Sequence, residues 1–144
     1  MRSLGFGLAG ILLSAVSALA ADSPEAVVKS FHQALESGDK AAALGLLSDK
    51  VKIFEQGHVE KSREEYAAHH LDSDIEFSKA VKSVRSGTEV SIEGGLAYIV
   101  SQSETQGTFQ GKPINSAGLE TMVLRKIDGA WKIVHIHWSS RKVK

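Results

Sequence analysis

Four residues in the first half of the chain have the types and spacing that acid–base chemistry uses. Glu55 ends a short run of alternating apolar residues, and His58 follows it closely. Tyr66 and His70 are four residues apart, so a helix would place them on one side. A carboxylate in apolar surroundings has a raised pKa and is a plausible general base. The alternative is a structural glutamate bonded to a nearby tyrosine or histidine.

Other histidines are assigned by their place in the predicted helices. His69 and His70 cannot both face inward, because adjacent helical residues diverge by about 100°. The alignment with Tyr66 favours His70. His32 lies beside the apolar face of the first helix and is expected at the surface.

A second pattern that could do chemistry is His135-x-His137, which puts two imidazoles on one face of a strand. A zinc site needs at least three protein ligands, so this pair is incomplete. The possible third ligands are His58, Glu60, His69 and His70. The alternative is a pair of histidines in an interface. No metal site and no cofactor are assigned from the sequence.

Three helices are predicted to position these residues. The first begins at the hydroxyl cap Ser23 and ends at Gly38. A short second helix follows the cap Asp39. The capping box Ser62-Arg-Glu-Glu65 opens a third helix that runs to about Leu71.

Strands follow, because the apolar period changes from helical to alternating after the third helix. The predicted strands are 51–55, 77–85, 90–92, 96–109, 117–127 and 130–139. Turns are predicted at Ser86-Gly87, Gly94-Gly95, Gly111-Lys112-Pro113 and Asp128-Gly129. Helices followed by an antiparallel meander indicate an α+β domain with helices on one face of the sheet. Several strands are apolar on both faces, which predicts that a second copy covers the outer face in a homodimer.

The first twenty residues read as an export signal. Arg2 precedes the apolar stretch 4–16, and Ala18-Leu19-Ala20 provides small residues for cleavage. The stretch is too short for a membrane span, so no membrane association is expected after cleavage. The domain would then be residues 21–144, located in the periplasm or secreted.

The charge balance limits the partners. The chain has 17 basic and 17 acidic side chains, and removal of the signal leaves the two nearly equal. A balanced surface argues against nucleic acid as a partner. There is no cysteine, and a domain of this size builds a core without disulfides.

The order of the elements resembles the nuclear transport factor 2-like superfamily. The similar segments are Phe54-Glu55, Ala97-Tyr98-Ile99 and Asp128-Gly129-Ala-Trp-Lys-Ile-Val-His-Ile-His137. Over roughly residues 24–140, the chain is most similar to the association domain of calcium/calmodulin-dependent protein kinase II and to SnoaL-like bacterial proteins. The resemblance implies a cystatin-like cone in which three N-terminal helices pack on a strongly curved, mainly antiparallel sheet. It also implies a pocket inside and an oligomer face outside.

The resemblance further implies the character of the pocket. In the association domain, arginines line the pocket and receive carboxylates. The corresponding positions here are Val100, Met122 and Trp138, none of which is basic. A small apolar or aromatic ligand would fit these side chains, with Tyr98 projecting inward beside Val100. The predicted ligand-binding residues are Glu55, His58, Tyr66, His70, Tyr98, Val100, Met122 and Trp138.

The register of the last hairpin has two solutions. A two-residue turn at Asp128-Gly129 would place Glu120 opposite His137. A three-residue loop, with Gly129 as a left-handed bulge, would instead group several side chains on one inner face. These are Glu120, Met122, Val134, Ile136 and Trp138. The resemblance favours the second solution, which turns His135 and His137 outward together with Trp131 and Ile133.

Function is less constrained than fold, because the superfamily includes isomerases, cyclases, dehydratase-like enzymes and pure binding or assembly modules. The sequence favours an exported, non-catalytic module that binds a small molecule in an apolar pocket and self-associates through the outer sheet face. One alternative is an isomerase- or cyclase-like enzyme with Glu55 or His70 as general base. Another is a periplasmic metal-binding protein that uses its histidines.

Overall fold

A computed structural model of the protein describes residues 23–144. The predicted export signal, residues 1–20, lies outside the described residues. The elements are α1 Pro24–Ser37, α2 Lys40–Leu46, β1 Leu47–Glu55, β2 His58–Glu60, α3 Arg63–His69, α4 Leu71–Ala80, β3 Val81–Glu93, β4 Leu96–Phe109, β5 Lys112–Ile127 and β6 Ala130–Lys142. None of the helices in this range is long and apolar enough to cross a membrane.

The first three helices begin where the sequence predicts, because their capping side chains bond the first free amides. Ser23 Oγ accepts a hydrogen bond from the third amide after it, and Asp39 does the same for α2. Ser62 Oγ accepts from the amide of Glu65 at 3.0 Å. Gly38 ends α1 in the left-handed region with φ of 78°. Local motifs therefore define where these helices begin and where α1 ends.

A fourth helix corrects the prediction of three. The sequence predicts a strand over 77–85, but α4 continues to Ala80 before the strand begins. This helix buries only Leu71 and Ile75, and its N-terminus has no side-chain cap. The helical apolar period and the capping signal are therefore both weak here. The predicted turn at Ser86-Gly87 is a shift of register inside the single strand β3.

All six strands form one mixed sheet in the order β2-β1-β6-β5-β4-β3. The β1–β6 pairing is parallel, and the other pairings are antiparallel. The sheet is not strongly curled, in contrast to the predicted cone. One physical reason is that β4 and β5 pair in continuous register from Leu96 to Phe109, without the bulges that bend a sheet sharply.

The last hairpin combines parts of both predicted registers. Asp128 and Gly129 form a two-residue turn with φ of 50° and 81°, and Ile127 pairs with Ala130. The predicted three-residue loop is therefore wrong. The bulge lies further along β6, where Val134 is the extra residue between two consecutive pairs.

This bulge decides which side chains face the helices. Beyond it, Glu120 pairs with Trp138, and Met122 pairs with Ile136, on the inner face as predicted. Before it, Trp131 and Ile133 also face inward and are buried, although the prediction turned them outward. The sequence pattern cannot show this, because an inserted residue inverts the alternation within one strand.

The core fills only part of the space between helices and sheet. Phe31, Leu124, Ile133 and Ile136 are fully buried there. The inward positions of β4 then change from apolar residues, such as Ile99, to hydroxyl residues at 101, 103 and 105. The apolar core therefore stops part of the way along the strands, and a cavity begins.

Candidate functional site

The candidate site is a cavity of about 370 Å³ between α1, α4 and the inner face of the sheet. Eight of its lining residues are serines, and charged or imidazole side chains are also present. The ionisable lining residues are His32, Glu55, His58, His70, Asp74, Arg85 and Glu120. Aromatic and aliphatic side chains are also present, so the lining is mixed rather than wholly apolar, and polar residues outnumber apolar ones.

Five of the eight predicted site residues come together. Glu55, His58, His70 and Trp138 line the cavity. Tyr66 is fully buried just behind it and lines a small side cavity with the same four residues. That side cavity measures about 10 Å³, which is about the space of one water molecule.

The other three predicted residues lie elsewhere. Tyr98 is 50% exposed and pairs with Val123 on the outer face of the sheet. Val100 is two positions further along the same strand and therefore faces the same way. Met122 faces inward but is fully buried in the core. The inward positions belong to the odd-numbered residues of β4, so the match by resemblance is wrong by one residue there.

Two carboxylates of the cavity have raised pKa values. Burial raises the pKa of Glu55, and the nearby positive charges of His70 and His58 only partly oppose this. Burial also raises the pKa of Asp74 to about 6, with a further contribution from the charge of Glu55. The Tyr66 hydroxyl donates to Asp74 Oδ2 at 2.7 Å, and burial together with this carboxylate raises the pKa of Tyr66. The backbone of Glu55 pairs in the sheet, but its carboxylate forms no hydrogen bond or ion pair within residues 23–144.

His70 lies at the junction of α3 and α4, where Glu60 fixes its ring. Glu60 is 8% exposed, and its Oε1 lies 2.7 Å from His70 Nδ1. This hydrogen bond raises the pKa of His70, and the charge of Asp74 adds to it. Burial raises the pKa of Glu60, but hydrogen bonds from His70 and His69 outweigh burial and lower it. With Nδ1 bonded to Glu60, Nε2 is the ring nitrogen left for the cavity.

A second polar network forms the other wall. Glu120 accepts hydrogen bonds from Trp138 Nε1 at 2.6 Å, from His32 Nε2 at 3.1 Å and from Ser101 Oγ at 3.4 Å. Burial raises the pKa of Glu120, but the hydrogen bonds from His32 and Trp138 and the charge of Arg85 outweigh it. The pKa of Glu120 is therefore lowered, and this carboxylate remains ionised.

Arg85 completes this network. Its Nη2 lies 2.7 Å from His32 Nδ1, and arginine can only donate. His32 Nδ1 must therefore accept, and Nε2 carries the hydrogen that is donated to Glu120. The guanidinium charge is thus linked through one neutral imidazole to a buried carboxylate.

Sequence analysis missed the roles of Asp74, Arg85 and His32. His32 is 7% exposed rather than at the surface. Its position beside the apolar face of α1 is the one available signal, since a polar residue there needs a buried partner. Asp74 lies in α4, the helix that the sequence did not predict. Arg85 lies in a strand, as predicted, but its bond to His32 joins residues far apart in the chain, which a local pattern does not show. Glu120 was predicted to face inward from the register of the last hairpin, but no role in the site was assigned to it.

The outer histidines form a different group. His135 Nδ1 lies 2.9 Å from the carbonyl oxygen of Lys52, and both His135 and His137 contact the ring of Phe54 edge-on. Within residues 23–144, no group of three His, Cys, Asp or Glu side chains could hold a metal ion. The His135–His137 pair therefore does not acquire the third ligand that the sequence left open.

Comparisons with known proteins agree with this architecture. Residues 25–141 match the SnoaL-like domain family. A candidate ketosteroid isomerase from Shewanella frigidimarina is 42% identical, with a TM-score of 0.76, over 78% of this chain and 91% of that one. A search of curated proteins found no match.

Two further structures share the fold. A candidate calcium/calmodulin-dependent protein kinase II association domain from Xanthomonas campestris is 21% identical, with a TM-score of 0.69, over 81% of this chain and 84% of that one. A Nostoc punctiforme protein of unknown function with a cystatin-like fold is 14% identical, with a TM-score of 0.68, over 80% of this chain and 86% of that one. The predicted superfamily and the cystatin-like α+β fold are confirmed.

Asp74→Asn is expected to change the pH dependence of stability. The folded-state pKa of Asp74, about 6, lies above its ordinary value of 3.8. Between these values the folded state keeps a proton that the unfolded state has lost, so stability falls as pH rises. The fall is up to about 3 kcal/mol for this shift and is complete above the folded pKa. Asparagine keeps an acceptor for Tyr66 but has no charge to bury, so the variant should lack this fall.

Urea unfolding between pH 4 and pH 7 measures this difference. Glu76→Gln, an exposed position on the same helix, is the matched control for removal of a carboxylate. If the free energy of unfolding of Asp74→Asn and of wild type changes with pH in the same way across this range, Asp74 does not have the raised pKa of a buried acid.

Proposed function

The chain belongs to the SnoaL-like domain family of the nuclear transport factor 2-like superfamily, and on this basis we propose that it is an enzyme of the isomerase or dehydratase type that uses Glu55 as general base. One observation carries the proposal: the Glu55 carboxylate lies on a cavity wall beside His70 and Asp74 and has no hydrogen-bond partner in the described residues. A structural glutamate would be expected to bond a neighbour. The Shewanella protein that is 42% identical is named as a candidate ketosteroid isomerase, and isomerases are one of the two enzyme classes proposed here.

The proposed reaction is proton transfer next to a carbonyl group. The Glu55 carboxylate removes a proton from the carbon beside the carbonyl, and the C–H electron pair forms the C=C bond of an enolate. The carbonyl oxygen takes the negative charge, and His70 Nε2 donates a hydrogen bond to it. If Glu55 returns the proton to another carbon, the product is an isomer. If a β-hydroxyl leaves instead, the enolate re-forms its C=O bond, and the electron pair of its C=C bond forms a new double bond to the β-carbon. The hydroxyl takes the proton of His70 and departs as water, and the proton held by Glu55 passes through solvent to His70.

The raised pKa values support these roles. A base whose pKa lies closer to neutrality removes a carbon-bound proton more effectively, provided that it is still ionised at the working pH. Burial raises the pKa of Glu55 in this direction. The bond to Glu60 raises the pKa of His70, so the imidazolium form persists to higher pH and supplies the acid.

Glu55→Gln tests the general base. In heavy water, the wild type is expected to exchange the hydrogen beside the carbonyl of a bound ketone for deuterium, followed by NMR with 5-androstene-3,17-dione and D-fructose as probes. The variant should lose this exchange by about 10²- to 10⁴-fold, the usual contribution of a positioned base. Glu104→Gln, an exposed outer-face position on β4, is the control and should exchange at the wild-type rate.

A measurement without a substrate complements this test. The side-chain carboxyl carbon of Glu55, followed by NMR during a pH titration, should report a pKa above the ordinary glutamate value of about 4.3. An ordinary value, or exchange that is equally fast in wild type and Glu55→Gln, would remove Glu55 as the base and leave a binding module.

We also propose that two copies associate through the outer face of the sheet. Phe54, Val59 and Tyr98 are 38%, 46% and 50% exposed there, and Val100 and Val123 lie beside Tyr98. His135 and His137, on the strand between these two groups, face the same way. Exposed apolar side chains grouped on one face mark interaction surfaces. The Xanthomonas structure of the same fold is a candidate association domain.

The double variant Tyr98→Lys/Val123→Lys tests this association. The two residues are cross-strand neighbours, so the new charges would meet their copies in a dry interface. Light scattering after size exclusion should give twice the chain mass for wild type and one chain mass for the variant. Gln33→Lys, exposed on α1, is the control and should remain dimeric. A wild type with one chain mass, or a variant with two, contradicts the dimer.

Export remains a proposal as well, and it rests on residues 1–20 of the sequence. Expression of the full chain in a bacterial host, followed by mass measurement of the periplasmic and secreted fractions, should find a protein that begins at Ala21. Ala20→Arg removes the small residue at the cleavage site and should leave the chain uncut. Recovery of the intact wild-type chain from the cytoplasm would contradict export.

A further inference from the structure

We propose that the sheet side of the cavity binds a neutral, polyhydroxylated part of the substrate, of the sugar or polyol class. The binding surface is a hydroxyl patch defined as Ser83, Ser101, Ser103, Thr105, Ser116 and Ser140, all of which line the cavity. The inference deepens the proposed function, because it names the substrate class of the same site. It also replaces the apolar ligand expected from the sequence.

The patch spans four neighbouring strands. Ser83 pairs with Thr105, and Thr105 pairs with Ser116, so these three hydroxyls cross β3, β4 and β5 in one row. Ser103 and Ser140 lie in the next row, on either side of Gly118. Neighbouring strands are about 4.8 Å apart, so the hydroxyls form a regular array on one wall.

Part of this array has no protein partner. Ser83 and Thr105 bond each other at 2.8 Å, and Ser101 donates to Glu120. Ser103, Ser116 and Ser140 bond no other side chain within residues 23–144. Each hydroxyl offers one donor and two acceptor positions, which matches the hydroxyl groups of a polyol and exceeds what an apolar ligand could satisfy.

On the sheet side of the cavity, the pairing of Arg85 argues against an anionic ligand. Arg85 is the one arginine among the residues that line the cavity. Its Nη2 is bonded to His32, which donates in turn to the ionised Glu120, and its Nη1 lies 3.9 Å from Glu36. The guanidinium charge therefore already has two carboxylates near it, and a ligand carboxylate would add a third.

Aromatic side chains complete the site. Phe77 and Phe109 pack edge to face at 5.3 Å and both line the cavity, as does Trp138. A ring with hydroxyl groups on its edge also has C–H groups on its faces, and these suit aromatic walls. The cavity thus offers polar partners for an edge and apolar partners for a face.

Gly118 keeps space open in the middle of the patch. A Cβ atom at this position would lie 2.6 Å from Ser103 Oγ, so even alanine would displace that hydroxyl. Its backbone is not in the left-handed region, so alanine adds no backbone strain there. Gly118→Ala therefore perturbs Ser103 and the adjacent space with little other change.

Binding of named probes tests the inference. We expect D-fructose and myo-inositol to give saturation-transfer NMR signals and a saturable change in tryptophan fluorescence with the wild type. Sodium benzoate and 5-androstene-3,17-dione represent anionic and apolar ligands and should bind more weakly. Ser103→Ala/Ser116→Ala should weaken fructose binding about tenfold or more, because two hydrogen bonds are lost. Gly118→Ala should weaken it as well.

Ser91→Ala is the matched control, because Ser91 pairs with Tyr98 and so lies on the opposite face of the same sheet. It should leave fructose binding unchanged. The inference is overturned if neither polyol binds, if benzoate or the steroid binds more tightly, or if the double serine variant binds fructose as wild type does. Unfolding curves of each variant show whether a loss reflects the patch or the fold.

The outcomes separate this inference from the proposed reaction. Fructose binding without any deuterium exchange would retain the substrate class and reject the enzyme. Exchange on the steroid without polyol binding would retain the enzyme and reject the hydroxyl patch. Fructose binding that persists in Glu55→Gln while exchange is lost would support both.

Discussion

The structure depends on one buried carboxylate, Glu120, and on the donors that satisfy it. Those donors come from α1, β4 and β6, so a single side chain on β5 holds a helix against three strands. A buried charge is tolerated only when its hydrogen bonds are complete. The complete network therefore stabilises the fold, and loss of a donor would destabilise it. It also sits at the boundary between core and cavity. The same interaction therefore keeps α1 on the sheet and leaves the space beyond it open.

The boundary follows from the strands themselves. On the core side, inward positions carry Ile99, Met122 and Ile136, and the helices pack directly on them. On the cavity side, the inward positions carry serine and threonine, which are too small and too polar to fill the gap. Burial of apolar side chains therefore stabilises the fold at one end of the sheet. At the other end, the hydroxyl groups are not covered by packed side chains. Such a division allows a polar site to exist in a small domain without a second core.

Local sequence signals predicted much of this fold. Features that depend on residues far apart in sequence were not predicted. The caps Ser23 and Ser62 and the Asp128-Gly129 turn act within a few residues, so the pattern shows them directly. The bulge at Val134 leaves no such trace, because its effect appears only when the partner strand is known. Glu55 and His70 were found because their spacing is local. Arg85 and His32 were missed because their bond joins residues far apart in sequence.

The two walls of the cavity differ in whether their charged side chains have partners. This difference distinguishes one end of the site from the other. On the wall of Glu120, every charge has a partner, so a ligand there meets dipoles and hydroxyls. On the wall of Glu55, burial opposes ionisation and the carboxylate has no partner in the described residues, so its proton affinity is raised. A substrate that spans the cavity would thus be held by neutral contacts at one end and exposed to a base at the other. Under the proposed function, binding and proton transfer would be separated in space, so either could be altered without loss of the other.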